Sequence, residues 1–163
     1  MLRAFRRQVS LPWLIAAVLM VLLIWGNSMV VGDGSSALSL TVLGWARGML
    51  ASLGLPYGWL TNFIVRKAAH VTEYAILGIL TFQALDPLRK LDVSHVLVAL
   101  VPCFIVAAVD ESIQHFVPGR CGQIPDVLID SFGAYLGIVL RCLVIYVCMR
   151  RLGTAKGSGI NVS

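Results

Sequence analysis

Five carboxylates stand near the ends of apolar stretches: Glu73, Asp110, Glu111, Asp126 and Asp130. Lys67, His70, Tyr74, Gln114 and Arg120 accompany them. A histidine beside carboxylates can exchange protons near neutral pH. Adjacent carboxylates can share a proton or hold a divalent cation. Lysine and arginine can bind phosphate or carboxylate. The carboxylates exceed the nearby cations, Lys67, Arg120 and Arg66. At low dielectric that excess needs protons, a cation or a basic ligand.

These residues fall into three clusters. Lys67, His70, Glu73 and Tyr74 lie at i, i+3, i+6 and i+7, within an arc of about 120° on one helix face. Asp110 and Gln114 are i, i+4 neighbours, and Glu111 lies about 100° from Asp110 around the axis. Asp126 and Asp130 are again i, i+4. Gly133, Ala134 and Gly137 follow them, small residues that let another helix approach closely. A structural account competes with a functional one. Lys67 with Glu73, or Arg120 with Asp110, could simply hold a bundle together. Asp126 at a helix start is also favoured by the helix dipole. His115 fits an ordinary interfacial position.

The elements that must position these clusters are membrane spans. Mean hydropathy is +0.86, 58% of the 163 residues are hydrophobic and only 13% are charged. A soluble domain of this length would need more polar residues to cover its surface, so a lipid surface is the simplest solution. The first apolar segment runs from Leu11 to Val31. A signal peptide is the competing reading, but the length of the run and Trp13 and Trp25 favour a retained helix. Gly32 to Ser36 is a turn by composition. Ala37 to Leu60, with Trp45, Tyr57 and Trp59, is interrupted by Gly and Pro. It is expected to be an interfacial helix and loop, with a re-entrant segment as the alternative. Leu40, Leu43, Leu50 and Leu53 have a spacing that a helix could use.

Further spans are expected over Val65–Leu85, Ser94–Gln114 and Asp126–Met149. A polar turn at Asp86–Lys90 and a Gly/Pro-rich loop over His115–Pro125 join them. Pro102 is tolerable in a membrane helix. The expected fold is thus all-α: an integral membrane bundle of about four transmembrane helices with an interfacial or re-entrant segment. Residues 1–10 form a cytoplasmic N-terminus, 11–149 a single transmembrane domain and 150–163 a disordered cytoplasmic tail.

The net charge of +5 does not point to nucleic acid. The basic residues stand singly or in pairs near helix ends, which is a topology pattern. With both termini inside, Arg3, Arg6, Arg7, Arg89, Lys90, Arg150, Arg151 and Lys156 are cytoplasmic. Arg47, Arg66, Lys67 and Arg120 lie outside. Arg141 falls within the last span. Cys103, Cys121, Cys142 and Cys148 form no C-x-x-C pair and match no zinc spacing, and a disulfide framework is not expected. There is no P-loop, G-x-G-x-x-G, G-x-S-x-G or H-E-x-x-H.

The connectivity joins the clusters. The second span starts at the end of the bundle where the third finishes and the fourth begins. All three clusters therefore meet at similar depth, whichever side that end faces.

These segments resemble a known family. Arg66-Lys67-Ala68-Ala69-His70-Val71-Thr72-Glu73-Tyr74 resembles the R-K-x-x-H-x-x-E-Y opening of VanZ-like membrane proteins. Asp110-Glu111 with Gln114, then Phe116-Val117-Pro118-Gly119-Arg120, is similar to their D-E-x-x-Q-x-F-x-P-x-R segment. Asp126, Asp130, Gly133 and Gly137 are similar to their D-x-x-x-[DN]-x-x-G-x-x-x-G ending. Ile124-Pro125, just before Asp126, departs from the small or polar lead-in expected there. The resemblance implies a multi-span protein of the bacterial cytoplasmic membrane. It implies an envelope context, since the founding member is associated with resistance to teicoplanin, a glycopeptide antibiotic.

The expected function is binding or protection of a membrane lipid, a lipid-linked envelope precursor or a glycopeptide. The expected ligand site comprises Lys67, His70, Glu73, Tyr74, Asp110, Glu111, Gln114, Arg120, Asp126 and Asp130. The alternative is a hydrolase or transferase acting on an envelope lipid precursor. Its candidate catalytic residues are His70, Glu73, Asp110 and Glu111, with a divalent cation as one way to balance the carboxylates. Binding ranks first because no nucleophile is apparent and no metal-ligand spacing can be assigned. The third reading is a structural bundle without a ligand.

Overall fold

A computed structural model of the chain describes residues 9–85 and 93–157. Arg3, Arg6 and Arg7, the expected turn at Asp86–Lys90 and the last six residues lie outside them. Five helices and no strands occur among the described residues: α1 (Leu11–Ser28), α2 (Gly32–Ser52), α3 (Asn62–Leu85), α4 (Val93–Phe116) and α5 (Ile124–Gly157). The all-α expectation holds.

Local sequence explains several helix ends. Pro12 and Pro125 sit in the first turns of α1 and α5, where a missing N–H costs nothing. After α2, Gly54 takes φ 69°. Its N–H reaches Ala51 O at 3.0 Å, and Leu55 N reaches Leu50 O at 2.9 Å. That pair of bonds is a Schellman ending, which favours glycine at the left-handed position. α5 continues to Gly157, beyond the span end expected at Met149.

α1, α4 and α5 each contain a stretch long and apolar enough to cross a membrane. Only 17%, 28% and 33% of those stretches is buried within the protein. Their exposed residues include Leu14, Leu22, Val101, Ile105, Leu136 and Leu140. With no polar coat on these faces, lipid is the medium that can cover them, and the chain is a membrane protein. α3 carries Arg66, Lys67 and Glu73 and is less apolar. It packs most extensively on α5 and also contacts α1, α4 and α2.

The helix directions follow from contacts at both ends of α3. Ser10 N bonds Ala84 O at 2.8 Å, and Asn27 Nδ2 bonds Glu73 Oε1 at 2.8 Å, so α1 runs antiparallel to α3. Lys67 meets Asp126, and Arg141 Nε reaches Gln83 Oε1 at 2.8 Å, so α5 runs parallel to α3. Small residues allow that parallel pair to close. A Cβ on Gly78 would collide with the Ala134 carbonyl, and one on Gly137 with the Ala75 carbonyl. Tyr74, Leu77, Cys103, Ala107 and Ala134 form the core beneath the polar end, and Phe82, Ala99 and Ile138 form a second core further along.

α2 is different. Gly32 N bonds Pro118 O at 3.2 Å. Near its other end, Arg47 donates through Nε and a terminal nitrogen to Leu60 O at 3.0 and 2.6 Å. Leu60 lies two residues before α3 begins, so α2 starts and finishes at the polar end of the bundle. It lies across that end with Trp45 exposed. The composition-based turn at Gly32–Ser36 is corrected: the chain turns over Met29–Val31, and α2 already begins at Gly32. Gly32 is set against Gly119 so closely that a Cβ would strike the Gly119 carbonyl. Tertiary contact thus overrides local glycine propensity. Of the expected leucine stripe, Leu43 is buried, Leu40 and Leu53 are exposed, and Leu53 lies just past the helix.

Candidate functional site

Four helix ends converge at one end of the bundle: the C-termini of α1 and α4 and the N-termini of α3 and α5. α3 supplies Lys67, His70, Glu73 and Tyr74. α4 supplies Asp110, Glu111 and Gln114, and α5 supplies Asp126 and Asp130. The loop between α4 and α5 supplies Arg120. The three sequence clusters are therefore brought together at one end. Tyr74 and Asp110 are fully buried, and Asp130, Gln114 and Glu111 are nearly so.

The pairing differs from the expected one. Lys67 Nζ meets Asp126 Oδ1 at 2.5 Å and ties the first turns of α3 and α5 together. Glu73 lies about 9 Å further along the axis, where it accepts a hydrogen bond from Asn27 instead. Arg120 does not pair with Asp110. It donates through Nε to Val30 O at 2.9 Å and through a terminal nitrogen to Asn27 O at 2.8 Å. Carbonyls at a helix C-terminus lack intrahelical partners, which makes them receptive to a guanidinium. Burial, then Arg66, lowers the pKa of Arg120, while Asp110, Glu111 and Glu73 act against that shift.

Gln114 organises the α4 carboxylates. Its Nε2 reaches Asp110 Oδ2 at 3.0 Å, and Glu111 Oε1 and Ser28 Oγ at 3.3 Å. Glu111 Oε2 also accepts from Gln123 N at 2.8 Å. Gly122 permits that approach, since a Cβ there would strike the Glu111 carbonyl. Glu111 is thus tied to Gln114 through one oxygen and to the loop through the other. His70, Asp110 and Asp130 each offer a donor atom, and these three atoms lie within 4.8 Å of one another. His115 stacks edge-on against Phe116 at 5.7 Å.

Asn27, Ser28 and Gln123 were not expected at the site. The two polar residues ending the first apolar span are the sequence signal that marks Asn27 and Ser28. Gln123 acts through its backbone N–H, which no side-chain pattern reveals.

Two cavities open here. A polar cleft of about 370 Å³ has Arg66, Lys67, Arg120, His70, Glu111 and Asp126 among its lining residues. An apolar groove of about 540 Å³ runs between α4 and α5, past Phe104, Ala108, Phe116, Ile124 and Leu128. Glu111 and Gln123 line both, so the two adjoin.

No curated protein and no solved structure matches the chain. The family model described as VanZ/LLP1 matches residues 13–146, which include every site residue named above. That match covers most of the sequence, and the chain belongs to the VanZ/LLP1 family.

Proposed function

We propose that this VanZ/LLP1 protein binds the anionic headgroup of a membrane-resident amphiphile, a lipid or a lipid-linked envelope precursor, in the polar cleft. The carrying observation is the junction of two unlike cavities through Glu111 and Gln123. Arg66, Lys67 and Arg120 supply cationic donors for a phosphate or carboxylate. The adjoining apolar groove suits an acyl or prenyl chain, because small-molecule sites combine apolar walls with a few fixed polar groups. In this reading the protein sits in the bacterial cytoplasmic membrane with the cleft facing outwards. Protection against glycopeptides follows if the bound headgroup belongs to the precursor that they target.

A thermal-shift series on the detergent-purified full chain tests the reading. The probes are a polyprenyl phosphate, phosphatidylglycerol, phosphatidylcholine, inorganic phosphate and teicoplanin. Saturable stabilisation of wild type by an anionic lipid is expected, well beyond that from phosphatidylcholine or phosphate alone. Arg66→Gln should lose most of that shift. Equal shifts with neutral and anionic lipids, or none, would overturn it. A shift with teicoplanin alone would replace the lipid with the glycopeptide.

A further inference from the structure

The geometry points to a divalent transition-metal site held by His70 of α3, Asp110 of α4 and Asp130 of α5, at the base of the polar cleft. Each of three helices contributes one ligand. Their donor atoms lie within 4.8 Å of one another. Neighbouring donors around a tetrahedral ion with bonds of about 2.1 Å stand about 3.4 Å apart. Closing the set therefore needs small side-chain rotations and no helix movement.

Hydrogen-bond accounting sets these three residues, with Tyr74, apart from the site's other titratable groups. Asp126 is paired with Lys67, Glu73 accepts from Asn27, and Glu111 accepts from Gln114 and Gln123. By contrast, His70 Nδ1, Asp110 Oδ1 and Asp130 Oδ2 are buried without a hydrogen-bond partner. His70 Nδ1 stands 3.9 Å from Asp130 Oδ2, too far for a hydrogen bond. Asp110 and Asp130 are 0% and 2% exposed, so bulk water does not reach them. The Tyr74 hydroxyl, also buried and unpartnered, belongs to the same polar group. Buried polar atoms left unpartnered are uncommon and cluster at functional sites.

Charge leads to the same ion class. Among the described residues, no lysine or arginine forms a salt bridge with Asp110 or Asp130. Two buried carboxylates and a neutral imidazole carry a charge that one divalent cation cancels. A nitrogen donor with two carboxylates suits zinc or manganese better than magnesium or calcium, which favour all-oxygen sets. Asp110 is already oriented as a ligand, since Gln114 holds its other oxygen and is itself bonded to Ser28. Such outer partners fix a metal ligand's direction. Three protein donors leave a coordination position vacant, and His70 lines the cleft from which it would be reached.

This site stands apart from the headgroup reading and is tested with metal alone. The detergent-purified full chain is stripped with a chelator, loaded with zinc, desalted and assayed for retained metal and thermal midpoint. Wild type should retain zinc stoichiometrically and melt several degrees higher than the stripped protein. Asp110→Asn and Asp130→Asn should stay helical and monodisperse, yet weaken zinc binding by at least about 100-fold. His70→Gln supplies an independent ligand deletion if either variant misfolds. Cys148→Ser should bind as wild type does, and the cobalt form should lack a thiolate charge-transfer band. No retained metal in wild type, equal retention in folded ligand variants, or a thiolate band would overturn the site.

Discussion

At the residue scale, the site is a set of commitments between particular donors and acceptors. Lys67 and Asp126 are only 24% and 15% exposed, so their pairing is partly shielded from water. Lys67→Met should leave an uncompensated carboxylate at the start of α5 and cost about 1–3 kcal/mol. Adding Asp126→Leu should recover much of that loss, because the second change removes the stranded charge. A double-mutant cycle on thermal midpoints in detergent checks this, and simple additivity would show that the pair is not coupled. The convergence of Lys67, His70, Asp110, Asp126 and Asp130 was legible in the sequence, because it follows from spacing and connectivity alone. The partners were not. Whether Lys67 meets Glu73 or Asp126 depends on helix rotation and axial offset, which a one-dimensional pattern does not contain. Likewise Arg120 was matched to a carboxylate by charge, whereas it binds the carbonyls that end α1.

At the element scale, the α3–α5 contact sets how closely the site residues approach. Val71 and Ala75 on α3 face Gly133 and Gly137 on α5 through backbone carbonyls. Gly137→Ala should drive the helices apart, cost about 1–3 kcal/mol as an overpacking change, and lower the thermal midpoint. Gly48→Ala in α2 should do the reverse. No atom lies within 4 Å of its would-be Cβ, so the substitution should gain about 0.5–1 kcal/mol of helix propensity. Melting both variants beside wild type decides the matter, and a neutral Gly137→Ala would show that the interface has slack. The Gly133, Ala134 and Gly137 series could be read as a packing face, because small residues at helical spacing have one main use in a membrane. Gly32 could not. Glycine beside aspartate and serine signals a turn in water, and only the approach of Gly119 from a distant loop makes it the start of α2. The long apolar stretches were legible because span length is fixed by bilayer thickness.

At the scale of the whole molecule, the route of α2 decides the topology. α1, α3, α4 and α5 run the length of the bundle in alternating directions, while α2 is held at the polar end through both Gly32 and Arg47. Four crossings by these helices would place the N- and C-termini on the same side, with the mouth of the cleft on the other. The choice of side rests on charge. Three of the four basic residues at the polar end are engaged internally: Lys67 with Asp126, Arg47 with Leu60 O and Arg120 with the end of α1. They therefore weigh less in the positive-inside balance than Arg3, Arg6, Arg7, Arg89 and Lys90, and both termini should be cytoplasmic. Cys121 provides a native probe, because its thiol is free and exposed in the loop between α4 and α5. In a Cys148→Ser background, a membrane-impermeant maleimide should label Cys121 in intact spheroplasts, while a fluorescent protein fused to the C-terminus should mature in the cytoplasm. Labelling only in inverted vesicles, with the C-terminal reporter exported, would reverse the orientation and keep the fold. Finding Cys121 on the same side as a reporter fused to the N-terminus would mean an odd number of crossings and require α2 to pass through the bilayer. That result would place the cleft on a different aqueous face from the one assigned to its ligand, so this measurement ranks ahead of any search for an extracellular headgroup.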